Sequence, residues 1–393
     1  MKSKFYLTEK LPPYIFAAIS ELKEDARSKG MEVVDFGMGN PDLSPPMHVK
    51  ERLSELVQDG SLYGYSPSGG INDLKDALAG YYQRRFGADL SRDEVLVTIG
   101  AKEGIASLAQ AITSEDEYVI VPNPSYPIHT FAFIIAHSKA VALDALDGEM
   151  FLTKIKEYVA KCQKNPIAII VNYPCNPTTS EVDLDFYQRL VDFARENKIY
   201  IISDIAYNEI YFTDNKPPSI LQIDGAKEVA VEFSSVSKSY SMAGCRVGFV
   251  AGNKDLISAL RKVKAYLDYG SFGPLQMAAA SALGEESDEY LDEIRQVYDY
   301  RGNFLIKLFK DELGWEIDKP NASMFLWAKI PEKFAYYNSF DFCKMLIEEC
   351  GVAFSPGSSF GSNGDGYVRI SLIHDDGNVK KAVAKLKELF DRS

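Results

Sequence analysis

The chain has 393 residues, 46% hydrophobic and 25% charged, with 43 Lys+Arg against 56 Asp+Glu for a formal net charge of -13. That length predicts two domains sharing an interface, and the balance excludes a disordered, collagen-like or low-complexity chain. The acidic sign argues against nucleic acid or an anionic membrane as partner, since both reward clustered Lys and Arg, while leaving room for an anionic small molecule.

Residues 1–10 hold no apolar core of signal-peptide length, and no apolar run reaches the ~18 residues of a membrane span. A helical pattern over residues 15–26 precedes the main body and is expected to pack with a C-terminal domain. From about residue 46 to 283, short apolar runs alternate with helical patterns. The runs cover residues 94–99, 118–121, 167–171, 199–202, 229–233 and 247–250. They are β-branched and apolar on both parities, as strands covered by helices on both faces should be. From Ser287 onward, Leu291, Ile294, Tyr298, Leu305 and Leu308 predict one long amphipathic helix capped by Gly314. Strand-like runs at 324–328 and 367–371 follow, with helices between and after. The expected fold is therefore α/β: a large domain (46–285) with a mostly parallel sheet wrapped by helices, and a smaller α+β domain. The linking helix and small domain take 286–393, and 1–45 form an N-terminal arm and part of the small domain. The five cysteines include no CxxC pair and suit a reducing cytoplasm; the four histidines lack metal-ligand spacing, so no metal is expected.

In open parallel sheets ligands bind beyond the carboxyl ends of the strands, so the residue after each run matters most. The first run is followed by Gly100-Ala101-Lys102-Glu103-Gly104, which opens a helix and can turn backbone N–H groups toward an anion. Later runs are followed by Tyr126, by Asn172 and Asn176 on a proline-stiffened turn, by Asp204 and Tyr207, and by Ser235-Val236-Ser237-Lys238 with Arg246 beyond it. Each has an ordinary reading alone: a tight turn, a helix N-cap, packing, a solvated lysine or a surface ion pair. Arg369 is harder to dismiss, because it alternates with Val368 and Ile370 in a strand-like run, and a buried Arg needs an acidic partner or a ligand. Together they meet the needs of pyridoxal phosphate: a lysine for a Schiff base, an acid for the ring nitrogen, donors to the ring oxygen, an aromatic lid and a phosphate cup.

At Ser235-Val236-Ser237-Lys238 and Gly244-Cys245-Arg246-Val247-Gly248 the chain resembles the class I/II, fold-type I aminotransferases, which use pyridoxal 5'-phosphate. The likeness runs in order along nearly the whole chain. It is nearest to the bacterial glutamate–pyruvate (alanine) aminotransferases at Leu11-Pro12-Pro13-Tyr14, Met38-Gly39-Asn40-Pro41-Asp42, Gly64-Tyr65-Ser66, Val121-Pro122-Asn123-Pro124-Ser125-Tyr126-Pro127-Ile128-His129 and Asp268-Tyr269-Gly270. The resemblance implies that Lys238 carries the cofactor and moves the substrate proton. It implies Asp204 at the pyridinium nitrogen, Asn176 and Tyr207 at the ring oxygen, and Tyr126 stacked on the ring. Ser235, Arg246 and the backbone of Ala101 and Lys102 would hold the phosphate. Tyr65 would reach the phosphate of the neighbouring subunit in a homodimer with shared sites. Arg369, with the backbone at Gly39 and the amide of Asn176, would clamp the substrate α-carboxylate. The expected reaction is ping-pong transfer of an amino group, alanine + 2-oxoglutarate giving pyruvate + glutamate, in the cytoplasm.

One departure bears on specificity. The best-known aspartate aminotransferases carry an arginine for the side-chain carboxylate just before the segment matching Ser271-Phe272-Gly273-Pro274. Here Ala265-Tyr266-Leu267-Asp268-Tyr269-Gly270 has none, which favours a small side chain such as alanine's. An aspartate or LL-diaminopimelate aminotransferase is the near alternative, a C–S lyase or aminocyclopropane-forming synthase a further one. A nicotinamide-dependent dehydrogenase is disfavoured because the chain has no GxGxxG, and a ligand-sensing regulator because no N-terminal extension is expected to hold a DNA-binding module.

Overall fold

The computed structural model describes residues 5–392; the first four residues of the expected N-terminal arm, and Ser393, lie outside the described residues. The strands are β1 (Val34–Asp35), β2 (Val95–Thr98), β3 (Tyr118–Asn123), β4 (Lys139–Asp144), β5 (Ala168–Asn172), β6 (Tyr200–Asp204), β7 (Ala230–Ser235), β8 (Gly248–Gly252), β9 (Phe325–Lys329), β10 (Val352–Ala353), β11 (Ser355–Pro356) and β12 (Tyr367–Ser371). Seven of them form one sheet in the order β2-β8-β7-β6-β5-β3-β4. Strand β8 runs antiparallel to β2 and β7, and the other pairings are parallel. Strand β4 escapes the sequence pattern for a physical reason. It is a half-exposed edge with Lys139 and Asp144 at its ends, whereas the other edge, β2, is buried, so β4 lacks the apolar run that marks a covered strand.

The two parities of the central strands feed two apolar layers. Leu96, Val121, Ile170, Ile202, Val231 and Val250 pack under the helices Ala101–Ile112, Ile128–Ile135 and Lys254–Leu267. Val97, Ile120, Ile169, Val171, Ile201 and Phe249 face the other layer, with Leu78 and Tyr82 of the helix Asn72–Phe86 and Tyr187 and Leu190 of the helix Leu184–Asn197. Burial on both faces is why these strands read as continuous apolar runs. The 26-residue helix Asp288–Leu313 ends at Gly314 with φ of 62°, the left-handed C-cap that glycine favours. Beyond it lie the antiparallel sheet β11-β12-β9 and the parallel pair β1-β10. Residues 34–35 thus pair with 352–353, and the helix Ile15–Ser28 packs against the helix Ser339–Cys350. Among the described residues no helix is long and apolar enough to cross a membrane.

Glu232 on β7 is wholly buried; its carboxylate accepts from Tyr82 Oη at 3.1 Å, Ser219 Oγ at 2.6 Å, Ser203 Oγ at 3.4 Å and the Ile220 amide at 3.1 Å. Burial outweighs these bonds and pushes its carboxyl up to about 7. The folded state therefore binds a proton here that the unfolded chain releases near its ordinary value, so stability falls as pH rises from about 4.5 through 7. Glu232→Gln can keep the Ile220 bond and turn its NH2 to the two hydroxyls on the other oxygen, which can rotate to accept. Urea unfolding at several pH values should show the variant gaining on the native chain by roughly 3 kcal/mol across that window, at about 1.4 kcal/mol for each pH unit crossed. A pH-independent difference would count against the account.

Candidate active site

Strands β2, β3, β5, β6 and β7 all point the same way, so Thr98, Asn123, Asn172, Asp204 and Ser235 end at one edge of the sheet. Strand β8 runs the other way, so the residue two places before its start, Arg246, arrives at the same edge. A cavity of about 600 Å³ opens there, within the range of small-molecule sites. Every site residue singled out from the sequence lines it except Tyr65, which is 88% exposed and packs its ring on Tyr269 at 4.6 Å.

At one end of the cavity the helix Ala101–Ile112 begins. Its N-cap Gly100 has φ of 79°, and a Cβ there would stand 2.2 Å from an Arg246 nitrogen. A Cβ at Gly248 would stand 2.5 Å from the Ala101 amide nitrogen. Two glycines therefore let a guanidinium, a helix N-terminus and a strand start share one small volume. Arg246 donates to Ala243 O at 2.9 Å and Ile99 O at 3.4 Å, and among the described residues no carboxylate pairs with it. Ser235, Lys102 and Ala101 line the same end.

In the middle stands Asp204, buried and aimed into the cavity. The helix that an N-cap aspartate would start is absent; instead its Oδ1 accepts from the Ala206 amide at 3.1 Å in a local turn. Its Oδ2 lies 3.0 Å from His129 Nε2, and His129 Nδ1 lies 2.6 Å from Ser125 Oγ. Asn172 donates to the Asp204 carbonyl at 2.8 Å and accepts from the Asn176 amide at 2.9 Å. Sequence reasoning misses Ser125 and His129, which carry no role in it, and places Asn172 at a strand end without a role of its own. No local pattern marks the pair, since Ser125 lies before the helix Ile128–Ile135 and His129 in its first turn. Asn176 Nδ2 donates to Tyr207 Oη at 3.4 Å, and burial pushes the Tyr207 and Tyr126 hydroxyls up, so both stay protonated.

Two cations complete the site. Lys238, in the short helix Val236–Ser239, donates to the Gly39 carbonyl. Burial first, then the charges of Arg369 and Arg246, hold its amine down to about 8. Arg369 on β12 is 4% exposed; it donates to Asn176 Oδ1 at 2.8 Å, Gly37 O at 2.9 Å and Ser355 Oγ at 3.3 Å. Its guanidinium lies over the rings of Phe325 and Phe360, at 4.1 and 4.8 Å, and its Nε has no partner. The carbonyl it meets is that of Gly37, whereas Gly39 serves Lys238 and stays bare because a Cβ would sit 2.7 Å from the Phe325 ring. Among the described residues neither cation has a carboxylate partner. Burial lowers Arg369 to about 10, which leaves it charged at neutral pH.

Lys238 should therefore react as a free amine well below the ordinary lysine range. An amine-acylating reagent on the ligand-free chain should modify it half-maximally near pH 8, followed residue by residue by mass spectrometry. Arg369→Gln removes a positive neighbour and should raise that midpoint. Modification only above pH 10 in both chains would contradict the assigned environment.

The chain is similar to known proteins along nearly its whole length. Residues 31–386 match the family model for aminotransferase class I and II. The glutamate-pyruvate aminotransferase AlaC of Escherichia coli (strain K12) is 40% identical over 98% of this chain and 94% of its own. An LL-diaminopimelate aminotransferase of Natranaerobius thermophilus is 38% identical over 97% of each. The substrate-bound structure of BacF from Bacillus subtilis superposes with a TM-score of 0.91, at 32% identity, over 99% of this chain and 98% of that one. The chain belongs to the class I and II aminotransferases, with their fold-type I α/β architecture and their dependence on pyridoxal 5'-phosphate.

Proposed function

We propose that this aminotransferase moves an amino group between alanine and 2-oxoglutarate, giving pyruvate and glutamate, with the residues of the cavity in the roles that follow. The observation that carries the reading is Arg369: a buried guanidinium with a free Nε and no carboxylate, across one cavity from an amine held near 8. A substrate α-carboxylate supplies what it lacks, two parallel charge-assisted hydrogen bonds. The alanine assignment draws on the 40% identity to the glutamate-pyruvate enzyme and on the absence of an arginine from residues 265–270. Diaminopimelate is the second reading, favoured by the relative at 38% identity.

The residues present suit pyridoxal phosphate. The end formed by Ala101, Lys102, Ser235 and Arg246 suits a phosphate dianion, since helix N–H groups and a guanidinium converge where glycines leave space. Bound, the cofactor supplies an aldehyde that captures amines and a ring that accepts electron density. The chain does the rest. Asp204, oriented by His129 and the Ala206 amide, keeps a ring nitrogen protonated; Asn176 and Tyr207 donate to a ring oxygen; Tyr126 covers the ring face. Lys238 would hold the cofactor through its amine and, once free, would take a proton from the substrate Cα and deliver it to the cofactor's former aldehyde carbon. Its lowered basicity lets it do so near neutral pH. Arg369, with Asn176 and the backbone at Gly39, orients the substrate so that the Cα proton faces that amine.

The same reading divides the chain at 45/46 and 285/286, supported by the seven-stranded sheet lying within the middle segment and the smaller sheets drawing on the outer two. It places the enzyme in the cytoplasm, in keeping with five free cysteines. It also makes the enzyme a homodimer with shared sites. Tyr65 and Tyr269 pack their rings together in the open, Tyr63 packs on Phe272 at 5.1 Å, and Tyr266 and Leu267 are 87% and 56% exposed. Exposed aromatic side chains gathered in these two segments support that reading.

Amino acids assayed with pyruvate and with 2-oxoglutarate should rank alanine and glutamate above aspartate and diaminopimelate; diaminopimelate leading would select the second reading. Arg369→Lys should lower kcat/KM by roughly two to four powers of ten for every substrate, as expected when a bidentate pair is cut to a point charge. Its cofactor absorbance should hardly change, and loss of cofactor would remove Arg369 from the carboxylate role. Mixing Lys238→Ala chains with Tyr65→Phe chains should restore activity above either parent, because one heterodimer site then carries both native residues. No gain would count against shared sites.

A further inference from the structure

Lys264 is an ammonium with no exposed surface, and it lies outside the cavity. It sits near the end of the helix Lys254–Leu267, with Nζ 3.0 Å from Glu103 Oε2 and 2.9 Å from Asp268 Oδ2. A buried charge of this kind persists only when fully partnered, and losing it would leave two carboxylates without their cation. What those carboxylates hold gives the arrangement its meaning. Glu103 Oε2 also accepts the Ile99 amide at 2.7 Å, and Oε1 accepts Ser107 Oγ at 2.6 Å, which pins the turn 99–102 at the start of its helix. Asp268 Oδ1 accepts the Gly270 amide at 2.7 Å, and its carbonyl accepts Ser68 Oγ at 2.9 Å, which pins the loop carrying Tyr269 beside the segment carrying Tyr65.

Both arms converge on Arg246. Its guanidinium donates to the carbonyl of Ile99, whose amide Glu103 holds, and its own carbonyl accepts from Ser271 Oγ at 3.3 Å, just past the loop that Asp268 holds. We propose that Lys264 is a positioning residue for the cofactor phosphate. Through Glu103 it fixes the helix N-terminus and the carbonyl that aims Arg246; through Asp268 it fixes the loop under Arg246 and the Tyr65–Tyr269 pair on the exposed face. By neutralising Glu103 it also keeps an uncompensated negative charge away from a phosphate dianion. Its influence is confined to the phosphate end, because Asp204, Tyr207 and Arg369 are held by other partners. This inference rests on the reading that Ala101, Lys102, Ser235 and Arg246 form the phosphate site.

Binding of pyridoxal phosphate and of pyridoxal, which lacks the phosphate, to the full cofactor-free chain separates positioning from general damage. Lys264→Met should weaken pyridoxal phosphate about 10- to 100-fold, the usual effect of losing a group that orients a ligand-binding residue, and change pyridoxal by less than about threefold. Glu103→Gln and Asp268→Asn together with Lys264→Met remove both uncompensated charges, keep the variant foldable and should retain most of the loss. Ser235→Ala and Arg246→Gln, measured alongside, should erode the same selectivity. If they erode it while both Lys264 variants bind natively, or weaken both ligands equally, the role of Lys264 is overturned and the phosphate site stands. If Ser235→Ala and Arg246→Gln leave the selectivity intact, the phosphate site and the inference fall together.

Discussion

A guanidinium buried between two phenyl rings without a carboxylate is the constraint around which this molecule is arranged. Arg369 cannot shed its charge at neutral pH, and it cannot stay buried unless polar atoms from several parts of the chain surround it. Those atoms come from the Gly37 carbonyl beyond β1, from Ser355 on β11 and from Asn176 beyond β5. One side chain thus ties the N-terminal segment, the C-terminal sheet and the central sheet together at a single point. The bonds satisfy two of its nitrogens and leave Nε without a partner, so the site is stable yet incomplete until a carboxylate arrives.

The same logic of assembled polar groups runs along the cavity floor. Ser125, His129 and Asp204 form a buried line from the end of β3 to the end of β6, and Asn172 stitches β5 to the Asp204 carbonyl. Each partner fixes the next, so the carboxylate keeps one orientation without a helix to cap. Behind them, Lys264, Glu103 and Asp268 perform the equivalent task at the opposite end, in a place where apolar packing alone would let the turn 99–102 and the loop 268–271 move independently.

The positive character of the cavity contrasts with the chain's net charge of -13. Lys238, Arg246 and Arg369 line one cavity without carboxylate partners among the described residues, although acidic residues outnumber basic ones overall. Their mutual repulsion contributes to the lowered basicity of Lys238 and gives an anionic, carboxylate-bearing substrate a favourable local field.

Much of this was legible in the residues alone. The apolar runs that became β2, β3 and β5 to β8 were visible because strands covered on both faces need apolar side chains at every position, and the residues following them announced the cavity because parallel strands must end together. Lys238 stood out in its Ser-Val-Ser-Lys motif, Asp204 by its place after an apolar run and Arg369 by its alternation with Val368 and Ile370. Edge strand β4 was not, since half-exposure permits charges and erases the pattern. Nor were His129 as the partner of Asp204, or Lys264 as the partner of Glu103: a histidine 75 positions from its aspartate and a lysine 161 positions from its glutamate carry no local signature. Sequence determined which strands form, where each turns, and which chemical groups stand at the turns, because periodicity and turn chemistry are local properties. Tertiary structure alone decided which buried charges share partners and which remain unpaired, because desolvation and hydrogen-bond geometry exist only once distant segments have met.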